Sequence, residues 1–228
     1  MRIIVAVRCY NEIKNIDRFM RCYDFADHIV VSDGGSIDGS QDKLKTYPKV
    51  HLLNFDHYEI VHGFKWNPDA PHMNFVLEYA KTLEPDWLIL DDMDDVPNII
   101  LQKNARGILE SVLEPQVNAF RLYMWGEDQY FPYMNRDFDM DYTSLWAWRP
   151  RDIGIWADPS RRHGTILGIT DEPYKLNIPY CLLHRSWHPD TIEQKMERYN
   201  KVGVPMNHPL DFAGELKPLP EWAVDGFI

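Results

Sequence analysis

The chain has 228 residues, of which 45% are hydrophobic and 26% are charged, a composition typical of one α/β domain with a full core. Its formal net charge of −11 argues against a general surface for nucleic acid or for an anionic membrane. Aromatic residues make up 13% of the chain, and many lie in its second half, as expected of a site that stacks on flat ligands or sugars.

The cysteines and the first residues indicate the cellular compartment in which we expect the protein. Cys9, Cys22 and Cys181 lie far apart and form no pair of metal-binding spacing, so we expect reduced, buried thiols. The apolar run at residues 3–7 is too short for the core of a signal peptide or for a membrane span. These features predict a cytoplasmic protein without a membrane span.

In the first half of the chain, apolar runs alternate with helical periodicities. Buried strands are predicted at residues 3–7, 28–32 and 87–90, and a further strand at 50–54. Helices are predicted at 13–23, about 38–47, about 72–83 and 98–113. Residues 56–71 are interpreted as a loop over the sheet. Strands and helices that alternate in this way are typical of a parallel sheet with right-handed crossovers.

Local signals refine these helices. Asn11 is predicted to cap the first helix, and Asp38 or Ser36 the second. Pro97 is predicted to stop the fourth strand and to open the fourth helix. The inward-facing positions predicted for the third helix are Phe75, Val76, Tyr79 and Ala80.

Beyond Pro115 the regular alternation ends. Strands are predicted at residues 118–125, 143–149 and 180–184, and a last helix at 190–202. Residues 126–141 and 152–171 show no clear periodicity, and the proline-rich tail after Gly203 is expected to be extended. Because no linker separates the two halves, we predict a single domain.

Polar clusters follow three of the predicted strands, at residues 8–12, 33–38 and 91–95. Ligands of open parallel sheets bind outside the carboxyl ends of the strands, so these clusters predict one ligand crevice. At Asp33, two following glycines leave the backbone without Cβ atoms, which allows a base or ribose to lie close. Neither a Gly-x-Gly-x-x-Gly pattern nor a Walker loop follows the first strand, which disfavours a dinucleotide dehydrogenase or a P-loop NTPase.

The last of these clusters has an unusual density of acids. Asp91, Asp92, Asp94 and Asp95 fill four of five consecutive positions directly after a buried apolar run. Carboxylates so close together repel one another unless a cation lies among them. Hard oxygen ligands of this type suit Mg²⁺ or Mn²⁺, and the alternative is a solvated acidic turn.

Together the three clusters resemble the opening motifs of family 2 glycosyltransferases, in the order and at the spacing of that family. The residues that carry the resemblance are 7–12, 30–40 and 86–95. The match covers roughly the first hundred residues and is specific only as a set. It implies a GT-A fold with a Rossmann-like, mostly parallel sheet flanked by helices and a smaller, mixed C-terminal half. It also implies a nucleotide-sugar donor, a divalent metal and inversion at the anomeric carbon.

Carried over by position, the resemblance assigns the donor site to residues 1–114 and the acceptor site to residues 115–228. Asp33 would accept from the nucleobase of a donor that we expect to be UDP-linked. Asp92 and Asp94 would bind the metal, Mn²⁺ or Mg²⁺, with Asp91 or Asp95 in support. The further donor contacts would come from Arg8, Tyr10, Glu12, Lys65, Asn74, Asp91 and Asp92. Gly34 replaces the second aspartate of the commoner Asp-Asp-Gly-Ser motif, which puts a ribose contact from this position in doubt.

The second half resembles the family more faintly. Residues 182–184 and the helix after them are similar to a closing motif of several bacterial sugar transferases, which would bring His184 to the metal or to the diphosphate. A hydrogen-bonded histidine at a strand end is the alternative. His163 and Gly164 stand where relatives often have His-Glu, so the expected carboxylate is missing.

Inverting transfer requires a carboxylate that deprotonates the acceptor hydroxyl. We favour Asp158 as this catalytic base, because it lies beside Trp156 and the cluster at residues 161–163, and a base next to a stacking tryptophan suits a sugar-like acceptor. The other candidates are Glu127, Asp128, Asp171 and Glu172.

Two other functions remain open. A nucleotidyltransferase also uses carboxylate-held metal, but it would want a glycine-rich, basic loop in place of residues 8–12. A non-catalytic module that binds a nucleotide sugar would need only the first half.

Overall fold

The structure is a computed structural model that describes residues 1–61, 64–66, 68–131, 143–158, 166–187, 189, 192–201 and 216–226. Its helices are α1 (Ile16–Cys22), α2 (Ser40–Leu44), α3 (Asp69–Thr82), α4 (Ile99–Ser111) and α5 (Ile192–Lys201). The strands of the first half are β1 (Ile3–Cys9), β2 (His28–Asp33), β3 (Val50–Asn54), β4 (Glu59–Val61), β5 (Phe64–Trp66), β6 (Trp87–Asp92) and β7 (Asp95–Pro97). Those of the second half are β8 (Gln116–Trp125), β9 (Gln129–Tyr130), β10 (Thr143–Trp148), β11 (Trp156–Ala157), β12 (Ile166–Leu167), β13 (Tyr174–Lys175), β14 (Cys181–Trp187) and β15 (Lys217–Pro218).

A single large sheet joins the two halves of the chain. Its main path runs β15-β9-β8-β10-β6-β1-β2-β3. The strands β6, β1, β2 and β3 are parallel, whereas β10 is antiparallel to both of its neighbours, β6 and β8. Off this path, β14 pairs in parallel with β8 and antiparallel with the short β7. The fold is therefore mixed α/β with a mostly parallel centre, as predicted.

The central strands form because both of their faces are buried. In β1, Ile3, Val5 and Val7 point into a core that contains residues of α1, α2 and α4. Ile4 and Ala6 point to the other side, where they pack with α3 and with residues 153–157. Each aliphatic side chain that is fully buried stabilises the fold by about 1.5–3 kcal/mol, which explains why continuous apolar runs mark these strands.

The predicted loop at residues 56–71 is wrong in two respects. β4 and β5 form an antiparallel hairpin within it, and α3 begins at Asp69. Pro71 was no obstacle to the helix because its missing N–H falls in the first turn, where no intrahelical partner exists.

Three smaller expectations about the helices are also wrong. Asn11 does not cap α1, because its side chain accepts from the Ile37 backbone N–H at 2.9 Å; the N-cap position belongs to Asn15. Pro97 ends β7, and Asn98 caps α4 by accepting from the Leu101 N–H. Phe75 and Tyr79 do not face the core: they are 38% and 37% exposed, on a side of α3 that lies towards Phe55 and His51.

The C-terminal segment, residues 216–226, packs along the body of the protein. β15 pairs with β9, and Ala223 is fully buried in the core that also holds α1 and α4. An extended tail with little regular structure was predicted. In its described part, β15 and one turn are the regular elements. In the part of the chain that the structure describes, no helix has the length and apolar character needed to cross a membrane.

Candidate functional site

The three polar clusters lie side by side at one edge of the sheet. Because β1, β2 and β6 are parallel and in register, Arg8 is paired with Asp92, and Cys9 with Asp33. This edge is where the carboxyl ends of the parallel strands meet, as the sequence predicted. The buried cysteines are all free thiols, and burial raises the pKa of Cys22 to about 12.

Asp91 and Asp95 form the inner pair of the acidic stretch, since both carboxylates point into the protein. The side chains of both have no exposed surface. Arg121 of β8 reaches both with one nitrogen, which lies 3.4 Å from Asp91 and 3.3 Å from Asp95. The buried Tyr23 hydroxyl also donates to Asp91. Loss of solvation and repulsion by Asp95 nevertheless raise the pKa of Asp91 well above its usual range.

Asp92 and Asp94 form the outer pair, and they lie nearer to solvent. The Asp92 side chain is 45% exposed and accepts from Arg8 at 2.6 Å. The other end of the same guanidinium lies 2.9 Å from Asp69, in the first turn of α3. Desolvation is the largest influence on Asp92 and works against its ionised form, but the charge and hydrogen bond of Arg8, with Arg121 and His184, together lower the pKa of this carboxyl.

Asp94, Asp95 and His184 form the candidate metal cluster. Each offers a ligand atom, and these atoms lie within 4.8 Å of one another. His184 comes from β14, whose backbone pairs it with Asp95 across the sheet. Its Nδ1 lies 2.6 Å from Asp95, and the ring packs edge-on against Tyr123, with centroids 4.9 Å apart. A carboxylate on one ring nitrogen is the usual way in which a protein fixes the orientation of a ligating histidine.

Of the three predicted metal ligands, the structure brings two together and leaves the third outside the group. Asp94 and His184 are brought together, and Asp95, predicted only in support, completes the group. Asp92 lies outside this group, with its carboxylate held by Arg8.

Glu12 adds a further carboxyl to the crevice. It is partly buried, and its carboxylate accepts from the Asn15 side chain at 2.7 Å. Burial and the nearby charge of Asp94 raise the pKa of Glu12 to about 8, although Asn15 and Lys195 of α5 act in the opposite direction. Lys195 therefore lies close enough to influence the crevice from the C-terminal half.

Asp33 lies where predicted, but its carboxylate is already engaged by its own turn. It accepts from the backbone N–H groups of Gly35 and Ser36, at 2.9 and 2.8 Å, and from the side chains of Ser36 and Gln41. The turn that follows is also tied to the first loop, because Ser36 Oγ accepts from the Asn11 N–H. Tyr10 lies in that loop, partly buried.

Three other predicted residues lie away from this edge in the described contacts. Lys65 belongs to the hairpin strand β5. The Asn74 amide is taken up by the backbone of Ala157, to which it donates at 2.9 Å and from which it accepts at 2.8 Å. Asp158 follows β11 directly and is partly buried beside α3. His163 and Gly164 lie outside the described residues.

Of the other candidate bases, Glu127 is held by Arg18 at 3.1 Å and by Arg185. Asp128, Asp171 and Glu172 lie in exposed or turn positions. None of these four acids belongs to the group of Asp94, Asp95 and His184.

Arg121 and Tyr23 were missed by the sequence analysis. Arg121 is a charged residue inside an otherwise apolar strand, and that contrast was the signal that could have revealed it. Tyr23 gave no such signal, because a tyrosine at an apolar helix position is explained by packing alone. Its hydroxyl partner is 68 positions away in the chain.

The comparisons with known proteins bear on the fold. No protein-family model matches the sequence, and a search of curated proteins found no match. The solved structure of S. aureus TarS is 16% identical, with a TM-score of 0.50 over 94% of this chain and 40% of that one. S. aureus TarS 1-349 in complex with UDP-GlcNAc is also 16% identical, with a TM-score of 0.51 over 93% of this chain and 63% of that one.

This chain therefore spans less than two thirds of the length of either TarS chain. At such identities the likeness shows the fold alone. That fold is the GT-A-like α/β architecture expected from the opening motifs.

Proposed function

We propose that the chain is a metal-dependent, inverting glycosyltransferase that uses a UDP-linked sugar. The observation that carries the proposal is the cluster of Asp94, Asp95 and His184, which stands beside the Arg8–Asp92 pair at the carboxyl edge of a GT-A-like sheet. The likeness to TarS, a glycosyltransferase whose complex with UDP-GlcNAc is among the solved structures, supports sugar transfer in general.

The residues of the cluster fit a divalent metal. Carboxylate oxygens and an imidazole nitrogen are ligands that Mn²⁺ accepts, and Mg²⁺ would rely on the carboxylates. Asp94 and His184 would hold the ion with Asp92 or Asp95, and Nε2 would be the ligating nitrogen of a ring whose Nδ1 is engaged by Asp95. When bound, such an ion supplies positive charge to the diphosphate of the leaving nucleotide.

The donor would lie over residues 1–114. We assign the nucleobase to Asp33 and Tyr10, and the ribose and diphosphate to Arg8, Glu12, Asp91 and Asp92, with Lys65 as a further contact. Because its own turn fixes the Asp33 carboxylate, a nucleobase would meet an acceptor that is oriented in advance. The Arg8 guanidinium holds Asp92 in its ionised form at the same edge.

The acceptor would lie over residues 115–228, with Asp158 as the catalytic base. β10 runs towards the amino edge of the sheet, where Arg151 shares a cavity with Met1. The chain then returns along α3, where the Ala157 backbone meets Asn74, and Asp158 is the next residue. Glu127 is a weaker choice because two arginines engage it.

In this reaction the Asp158 carboxylate would remove the proton from an acceptor hydroxyl. The hydroxyl oxygen would form a bond to the anomeric carbon while the bond from that carbon to the diphosphate oxygen breaks. Attack opposite the leaving nucleotide inverts the anomeric configuration.

The test measures UDP released from UDP-GlcNAc and other UDP-sugars, with and without Mn²⁺. Asp92→Ala and Asp94→Ala should abolish the Mn²⁺-dependent release, whereas Asp24→Ala, which removes an exposed partner of Lys49, should retain it. Undiminished activity in both crevice variants would overturn the metal assignment.

The products and a binding measurement separate the alternatives. Release of a sugar 1-phosphate in place of UDP, which results from attack on the α-phosphate, would indicate a nucleotidyltransferase. Calorimetry that detects UDP with Mn²⁺, together with no turnover of any donor, would indicate a binding module. Asp158→Asn should lose transfer while it keeps UDP binding, and normal transfer by this variant would remove Asp158 from its role.

A further inference from the structure

An ion-pair cluster on the other side of β14 connects the C-terminal segment with the metal cluster. Asp225 is buried, and its carboxylate lies 3.1 Å from Arg18 Nε and 3.5 Å from Arg185 Nη1. Glu127 lies against the same two arginines from the turn after β8. Two acids and two arginines, drawn from four separate parts of the chain, thus neutralise one another.

Arg185 follows His184 in β14, so the two side chains leave the strand on opposite faces. The His184 ring meets Asp95 and Tyr123 on one face. On the other face, the Arg185 guanidinium meets Asp225 and Glu127. The backbone of Arg185 also donates to the Asp94 carbonyl at 2.8 Å. One residue therefore contacts the segment of Asp94 and, through its side chain, the C-terminal segment.

The sheet itself holds this part of β14 only loosely. The pairing of β14 with β8 is regular as far as His184, and its register then shifts before Trp187. The pairing with β7 also ends at His184. Since the regular ladder is interrupted between His184 and Trp187, the contacts of Arg185 help to fix the position of the His184 backbone.

The C-terminal segment also contacts the start of α4 and, through Gln102, the end of β7, next to Asp95 of the metal cluster. The Val224 carbonyl accepts from the Ile99 N–H at 2.6 Å. The Gln102 side chain donates to the Asp225 carbonyl and to the Pro97 carbonyl, both at 2.8 Å. Pro97 ends β7, the strand that contains Asp95. Residues 222–226 thus brace both chain segments that bring the metal cluster together.

We propose that Asp225 is a positioning residue for the metal cluster, which it stabilises through Arg185 and the backbone of His184 and Asp94. The proposal rests on the metal-dependent function proposed above, although one of its readouts is independent of any metal. Loss of an outer partner of a metal site typically weakens metal affinity by about 10–100-fold.

The experiment compares Asp225→Asn with Asp27→Asn in the full chain. Asp27 is a matched control because it also pairs with an arginine, Arg106 at 2.6 Å, but its backbone partner is Ile3 at the amino end of β1. Mn²⁺ binding in the presence of UDP is measured by electron paramagnetic resonance. The imidazole nitrogen shifts of His184, identified by their absence in His184→Asn, are measured by NMR without metal.

Because Asp225 acts through Arg185 and not on a ligand directly, we expect Asp225→Asn to weaken Mn²⁺ binding by no more than about 10-fold and to move the His184 nitrogen signals, while Asp27→Asn changes neither. Unchanged His184 signals in Asp225→Asn would overturn the proposal. If the wild-type chain does not bind Mn²⁺, the metal dependence in the proposed function is wrong. The His184 signals, which are measured without metal, still decide whether Asp225 positions His184.

Should Asp225→Asn fail to fold, Glu127→Gln takes its place. This carboxylate contacts the same arginines, but its side chain is 56% exposed, so its removal disturbs Arg185 without a buried vacancy. A smaller shift of the His184 signals in the same direction supports the proposal, and no shift contradicts it.

Discussion

The inner and outer pairs of the acidic stretch consist of the same residue type but lie in opposite environments. Asp91 and Asp95 have buried carboxylates that share Arg121, whereas Asp92 and Asp94 lie nearer to solvent at the crevice. Burial raises the pKa of Asp91, while Arg8, Arg121 and His184 together prevail over desolvation and lower that of Asp92. The alternation of side chains in β6 and the turn between β6 and β7 thus separate the buried carboxylates from those that lie at the crevice.

This difference teaches that a dense acidic motif need not be one site. The inner pair is partly neutralised inside the protein by Arg121 and Tyr23. It can therefore orient His184 through Asp95 without a metal. The outer pair has its charge at the crevice, where a cation or a cationic group of a ligand would gain most from it.

The largest expected effect is that of Arg121→Met, which removes the shared cation of the inner pair. It leaves two buried carboxylates without their arginine, so the free energy of unfolding should fall by about 3–5 kcal/mol. Urea denaturation measures this. Arg106→Met breaks a pair whose partners are 40% and 36% exposed, and it should cost about 1 kcal/mol or less. Equal losses in the two variants would mean that the inner pair does not depend on Arg121.

A smaller effect is expected for Tyr23→Phe, which removes the hydroxyl donor to Asp91 and keeps the ring. A buried acceptor that loses its partner costs about 1–3 kcal/mol, again measured by urea denaturation. Tyr47→Phe is the matched control, because the Tyr47 hydroxyl also donates to an aspartate, Asp17, whose side chain is 48% exposed. That change should stay within about 0.5 kcal/mol. If the control loses as much as Tyr23→Phe, burial of Asp91 is not what makes its hydrogen bond important.

Glu12, which lies near Asp94 of the outer pair, makes the folding stability depend on pH. Its pKa is raised from 4.5 to about 8 by burial and by Asp94 of the outer pair. As the pH rises, the unfolded chain therefore releases this proton at a lower pH than the folded chain does. The free energy of unfolding falls as the pH rises from 4.5, the pKa in the unfolded chain, through about 8. The slope from this one group is no steeper than about 1.4 kcal/mol per pH unit.

Denaturation at several pH values across this window should show a smaller decline for Glu12→Gln than for the wild type. Glu110→Gln, on the exposed side of α4, should decline as the wild type does. Mn²⁺ should flatten the wild-type profile, because a cation beside Asp94 offsets the charge that raises the pKa of Glu12. A profile that Glu12→Gln leaves unchanged would remove Glu12 from the electrostatics of the crevice.

Much of the first half of the fold was predictable from the sequence. β1, β2 and β6 have apolar runs because both faces of each strand are buried, and such runs are visible without tertiary knowledge. β3, at the edge of the sheet, is only partly buried. β7 and the hairpin of β4 and β5 have strands of only three residues, too short for any periodicity to mark them.

The candidate site was predictable as a set of strand ends but not as a set of contacts. Asp33, Asp92 and Asp94 follow apolar runs, which placed them at one edge. The separation of inner from outer carboxylates depends on Arg121 and Tyr23, which reach Asp91 from 30 and 68 positions away. Asp225 is still more remote from the cluster, and nothing in its local sequence distinguishes it from an ordinary acid of the tail.

The smallest expected effect concerns Asp69→Asn, which removes the second partner of Arg8. Asp69 and Arg8 are 23% and 19% exposed, and Arg8 keeps its contact with Asp92 at 2.6 Å. The loss of unfolding free energy should therefore be no more than about 1 kcal/mol, comparable to a surface pair. Urea denaturation of Asp69→Asn beside Asp24→Asn, an exposed partner of Lys49, measures it. A loss as large as that of Arg121→Met would show that the ion pairs of Arg8, the partner of Asp92, contribute as much to folding stability as the inner pair does, and the division between the two pairs would no longer hold.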